Sequence, residues 1–143
     1  MHKFFIVIFI FFSCSAFSEE TISRWMADYF KRIHDHIGDE NYEKAQYELE
    51  MGNNNYFRNG RTYEAALLYQ LYGQFYAVQS QYTNAIPWFE KALATGKMPR
   101  IGAQEVRFQL AQTYFMIGEY ENVIPLLNEF INIGEKYKYP VSA

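Results

Sequence analysis

Tyr82-Thr83-Asn84-Ala85-Ile86-Pro87 and Tyr120-Glu121-Asn122-Val123-Ile124-Pro125 are nearly the same hexapeptide, 38 residues apart. A third tyrosine with alanine three residues later, Tyr42 and Ala45, lies 40 residues before the first. A period of this size means one supersecondary unit repeated along the chain, each copy burying its apolar face against the next. Proline inside an amphipathic pattern is a further constraint, because it lacks an N–H and its ring crowds the preceding turn. The conflict is relieved if a helix begins near Thr83 and Asn84, one of them as N-cap. Pro87 then closes a first turn whose N–H groups have no helical partner. Pro125 takes the same place one unit later, and Pro99 ends the second unit ahead of the next helix.

After residue 20 no strand-like alternation occurs. Apolar residues recur at three and four in "MADYFKRI", "AALLYQLYGQFYAV" and "VRFQLAQTYFMI", which predicts short amphipathic helices. Gly38, Gly52, Gly60, Gly96, Gly102, Gly118 and Gly134 fall mostly near the expected helix ends. The asparagine-rich stretch 52–64 reads as a turn or longer inter-repeat loop, or as a frayed continuation of its neighbours. The expected fold class is all-α, an α-solenoid of about three antiparallel helix pairs, with units near 26–55, 66–99 and 104–137.

The first eighteen residues are of a different composition. Lys3 precedes an unbroken apolar run from Phe4 to Phe12, and Ala16 and Ser18 are small residues ahead of two glutamates. That is the layout of a secretory signal, with cleavage expected after Ser18. The run is well short of the roughly 20 apolar residues that span a bilayer. Cys14 after such a run offers the alternative of a lipid-attachment site, the one route by which a membrane anchor enters the reading. Residues 19–143 would form the repeat domain, with 12 basic against 16 acidic residues and no basic run, which argues against nucleic acid as a partner. The expected location is periplasmic.

Candidates for chemistry are few. His34 and His36 are two apart on an expected helix and point to different faces, so they do not pair on a metal. No carboxylate pair, glycine-rich phosphate loop or nucleophile elbow is present, and neither an enzyme nor a cofactor or metal is expected. Thirteen tyrosines raise a glycan- or peptidoglycan-binding alternative. Most of them occupy the packing positions of the repeat, whereas Trp25, Tyr56 and Phe57 do not.

Within the second unit Tyr69, Tyr72, Gly73 and Tyr76 precede Tyr82, Ala85, Phe89 and Ala92; within the third, Leu110, Ala111 and Tyr114 precede Tyr120, Val123, Leu127 and Phe130. This succession resembles the tetratricopeptide repeat over residues 26 to 136, although the first unit has Ile33 and His36 where Gly and Tyr are usual. The run from Tyr69 to Leu127 also looks like periplasmic proteins of that family associated with TonB energy-transduction systems. The resemblance implies a protein-interaction scaffold, an accessory factor of an envelope complex, with a lipid-anchored envelope assembly factor of the same fold as the competing class. It places a partner-binding groove at Gln70, Gln74 and Val78 of the second unit and Phe108, Gln112 and Phe115 of the third, with Phe30 and His34 corresponding in the first. The lysine, asparagine and arginine that clamp acidic peptide ends in this family have no counterparts there, so a neutral extended or helical peptide is the expected ligand. Phe108 and Phe115 could equally pack against the neighbouring unit.

The last helix presents Ile124, Leu127, Phe130 and Ile131 at helical spacing, and the expectation is that this stripe is covered by a second copy, a partner helix or further chain. Export has a direct test. Mass spectrometry of the purified protein is expected to give Glu19 as the mature N-terminus, and an intact Met1 or an acylated Cys14 would overturn cleavage after Ser18.

Overall fold

In the computed structural model residues 22–56 and 62–138 are described, and among them there are helices and no strands. The order is α1 (Arg24–Gly38), α2 (Tyr42–Met51), a π turn (Gly52–Tyr56), α3 (Tyr63–Val78), α4 (Tyr82–Ala94), α5 (Arg100–Met116) and α6 (Tyr120–Tyr137). The fold is all-α, three helix pairs in succession, and the principal contacts join elements close in sequence: α1 with α2 and α3, α3 with α4, α4 with α5, and α5 with α6. The expected signal segment and Cys14 lie outside the described residues, as do Phe57 and Gly60.

The same backbone device closes all three pairs. Glu40, Ser80 and Gly118 have φ of 57°, 60° and 80°. The residues after them, Asn41, Gln81 and Glu119, are the helix N-caps, with φ/ψ of −86°/65°, −90°/58° and −84°/64°. The N–H groups of the N-caps donate back to the carbonyls of His36, Tyr76 and Tyr114 at 2.8, 2.9 and 3.0 Å. Those of the left-handed residues donate to Ile37, Ala77 and Phe115 at 3.1, 3.0 and 3.1 Å. This is the paired-bond termination that satisfies orphan carbonyls at a helix end and turns the chain by one left-handed residue. It recurs at the spacing of the sequence repeat, and Tyr42, Tyr82 and Tyr120 each open a helix because the turn ends one residue earlier.

The starts of α4 and α6 correct one expectation. Neither Thr83 nor Asn84 is the N-cap; α4 begins at Tyr82, which puts Pro87 at its sixth residue, inside the helix. Pro125 stands likewise in α6. Each proline leaves the carbonyl four residues back without its helical donor. Thr83, Pro87, Glu121 and Pro125 are all exposed, so water reaches those carbonyls. The asparagine of the motif fastens the residue ahead of the helix instead. Asn84 Nδ2 donates to Gln81 Oε1 at 3.1 Å, and Asn122 Nδ2 to Glu119 Oε2 at 2.8 Å. Two glycines also differ from expectation, since Gly102 and Gly134 lie within α5 and α6 rather than at their ends. The asparagine-rich stretch begins as the π turn, a continuation of α2, and α3 starts with Thr62 Oγ1 accepting from the Ala65 N–H at 3.2 Å.

Packing inside each pair is a trade of volume between two facing positions. A Cβ added to Gly73 would lie 2.5 Å from two carbons of the Phe89 ring, which is itself fully buried, so only glycine lets that ring lie against α3. Trp88 stacks on Tyr72 with centroids 4.0 Å apart and planes 8° apart. One unit earlier the corresponding residues are Ile33 and Leu49, both fully buried. The first unit thus keeps both positions in the core, with a larger residue on its first helix and a smaller one on its second. In the third unit the pair is Ala111 and Leu127.

The stripe expected to be exposed on α6 divides. Ile124 and Ile131 are exposed at 61% and 41%, whereas Leu127 and Phe130 are half-buried, Phe130 with its ring 5.6 Å from that of Phe108.

A left-handed backbone costs about 1–2 kcal/mol for a residue with a Cβ and little for glycine. Replacing Ser80 by glycine is expected to stabilise the protein by about 1 kcal/mol, and Gly118→Ala to destabilise it by at least as much. Thermal melts followed by circular dichroism read both, as shifts of a few degrees in opposite directions.

Candidate functional site

Helix α5 turns two faces to its surroundings. Gln109 is buried toward α3, where the Gln70 side-chain N–H donates to its carbonyl oxygen at 3.1 Å. Paired buried amides of this kind tie two helices together, because separating them would leave both unsatisfied in an apolar layer. Toward α6 Gln104 Nε2 donates to the Phe130 carbonyl at 2.7 Å, and Arg107 reaches both Gln104 Oε1 and Glu129 Oε1 at 3.2 Å.

A second row on α5, Phe108, Ala111, Gln112, Phe115 and Met116, follows the helical spacing of three and four and opens on a groove of about 160 Å³. The ends of the second pair, Ala77, Val78 and Tyr82, form one wall, and Val123 and Leu127 of α6 form the other. Phe108, Phe115 and Met116 remain exposed at 38%, 56% and 42%. Three large apolar side chains open to water on one groove are unusual for a helix already packed on two sides. The ring of Phe115 extends the apolar surface to Tyr120, 5.5 Å away between centroids.

Of the six residues expected to line a groove, Val78, Phe108, Gln112 and Phe115 come together here. Gln70 does not; it is an interior tie between α3 and α5. Gln74 is half-buried and is likewise not part of this groove. In the first pair Phe30 belongs to the core and His34 is half-buried. Phe108 exposes more than a third of its surface, and its ring contact is with Phe130 of its own unit rather than with the neighbouring one. Met116 and Tyr82 were not expected in the groove. The spacing of Met116 from Phe108 and Gln112 was a visible signal; the return of Tyr82 across the turn was not.

A wider recess of about 400 Å³ lies in the first pair, between Trp25, Asp28, Tyr29 and Arg32 of α1 and Tyr47, Glu48 and Met51 of α2. Trp25 and Tyr47 are exposed, but Tyr29, Arg32 and Glu48 are engaged with one another. Arg32 Nε meets Glu48 Oε1 at 2.8 Å, its guanidinium stands 5.4 Å from the centre of the Tyr29 ring, and the Tyr29 hydroxyl donates to the Glu48 carbonyl. Among the described residues no three His, Cys, Asp or Glu side chains converge as a metal site would require. Among them, too, no helix is long and apolar enough to cross a membrane. No family model, curated protein or solved structure matches the chain.

Two titrating groups report on the surroundings of α5. Burial, and then the hydrogen bond from its hydroxyl to Glu90 Oε1 at 2.6 Å, push the Tyr114 phenol up to about 12. Glu105, half-buried one turn ahead of Gln109, is pushed up to about 7 by burial alone, against an ordinary value of 4.5. The folded state thus favours the protonated carboxyl. That contribution to stability is complete below about pH 4.5 and is lost as the pH rises through about 7. Glu105→Gln is expected to melt higher than the native protein at pH 8, with the gap closing by pH 4.5. An equal gap at both pH values would mean that the carboxyl is hydrated.

Proposed function

We propose that the protein is an exported interaction scaffold of the tetratricopeptide type, without enzymatic activity, that holds an apolar segment of a partner protein in the groove along α5. The observation that carries this reading is the exposure of Phe108, Phe115 and Met116 on one groove together with Val78 and Gln112. Side chains of this size are stabilised by leaving water, so a partner that covers them gains affinity from burial alone. Support for the repeat type comes from three identical turns at the spacing of the sequence repeat. The periplasmic location and the role beside an envelope complex such as a TonB-type system rest on the leader-like residues 1–18 and on the likeness of the second and third units to that group of proteins. A lipid-anchored assembly factor differs only in how Cys14 is processed.

The test is capture from a solubilised envelope fraction by the immobilised protein and by its Phe115→Ala variant. Phe115 is more than half exposed, so the variant is expected to melt within a few degrees of the native protein while losing the captured partner. Retention of the same set of proteins by both would remove the groove from the reading.

A further inference from the structure

The charges around the groove are one-sided. From Phe108 to Glu135 the chain carries Glu119, Glu121, Glu129 and Glu135 and not one lysine, arginine or histidine. On the facing side, residues 65 to 89 carry no charged side chain at all. The nearest cation on α5, Arg107, is held by Glu129 at 3.2 Å and is mostly buried. The groove's own lining carries no charge, so the carboxylates act from beyond its end at the α5–α6 turn. Glu119 and Glu121, both exposed, flank Tyr120, whose ring touches that of Phe115 on the groove. Glu119 stands close enough to Tyr114 to act on its phenol alongside Glu90. The other cations of this pair gather at its opposite end, where Arg100 lies 3.9 Å over the Tyr137 ring with Lys136 nearby.

We infer that the groove takes a short apolar segment bordered by lysine or arginine, seated with its apolar part toward Phe108 and its basic border at the α5–α6 turn. This rests on the groove being a partner site, and it adds a cationic border to the apolar segment in place of the neutral peptide that the resemblance implies. From Phe108 to Met116 the groove covers about two helical turns, roughly 12 Å. That is room for two or three apolar side chains before the chain reaches Glu119 and Glu121. An acidic border would meet carboxylates at the rim with no cation to offset them, so the rim selects by repulsion as well as attraction.

The experiment uses three fluorescein-labelled synthetic peptides with one leucine-rich core, bordered at one end by three lysines, three glutamines or three glutamates. Fluorescence anisotropy is measured with the native protein and with Phe115→Ala and E119Q/E121Q, the glutamine at 119 keeping an acceptor for Asn122. The lysine peptide is expected to bind about tenfold more tightly than the glutamate peptide at 50 mM salt, a gap that shrinks in 500 mM salt and in E119Q/E121Q. Should the double variant fold poorly, Glu121→Gln alone, on an exposed side chain, is expected to give part of the same loss of preference. Equal binding of all three peptides, abolished by Phe115→Ala, would overturn the charge selection and leave the groove as a partner site. Binding of none, or binding indifferent to Phe115→Ala, would overturn both. Sedimentation of the native protein as a dimer that the Phe115→Ala change dissociates would assign the groove to a second copy and also overturn the inference.

Discussion

Everything in the arrangement of helices follows from one left-handed residue in each pair. Glu40, Ser80 and Gly118 reverse the chain within a single peptide turn, and the two N–H groups at the turn return to the last carbonyls of the helix just finished. A helix that ends in this way has a fixed exit direction, so the second helix starts at one angle and one distance from the first. The close approach of Phe89 to Gly73 and the stack of Trp88 on Tyr72 are possible only at that distance. Two of the three turns bear a side chain where glycine is the unstrained choice. The packing they allow must therefore outweigh the strain they carry.

Above the turns, the interfaces between units use different chemistry from those within them. Inside a pair, rings and small residues fill the core while ion pairs and hydrogen bonds such as Arg32–Glu48 and Gln104–Phe130 lie at its edge. Between α3 and α5 it includes a single buried amide pair, Gln70 with Gln109, which has a fixed register because two amides satisfy each other in few orientations. The second and third units meet chiefly between α4 and α5, and the last turn of α3 stands beside the exposed face of α5 as one wall of the groove. The groove is accordingly a by-product of stacking the second and third units, and no residue of the first pair lines it.

Much of this was written in the chain. The starts of α2, α4 and α6 are legible to within two or three residues because the repeat places a tyrosine near each turn, and the period itself implies stacked pairs. The N-cap was misplaced because residue type points to Thr83 or Asn84, whereas the cap at Gln81 is a property of backbone angles. The resemblance puts Gln70 in the groove because it carries over only the residue's position on the first helix of its unit. Whether that position meets water or the next helix depends on the rotation between units, which periodicity does not encode. The first unit looks divergent when read position by position, since Ile33 and Leu49 keep the two core positions buried without keeping the residue types.

The near-neighbour order of the contacts also bears on how the molecule comes into being. Each pair leans on the one made just before it, so a chain delivered from its N-terminus can close α1 and α2 onto α3 before α5 exists. The groove draws its walls from α3, α4, α5 and α6 together. Its apolar surface is therefore assembled only after α6 has followed α5, and any shorter length of chain leaves Phe108, Phe115 and Met116 without the facing wall of Val123 and Leu127.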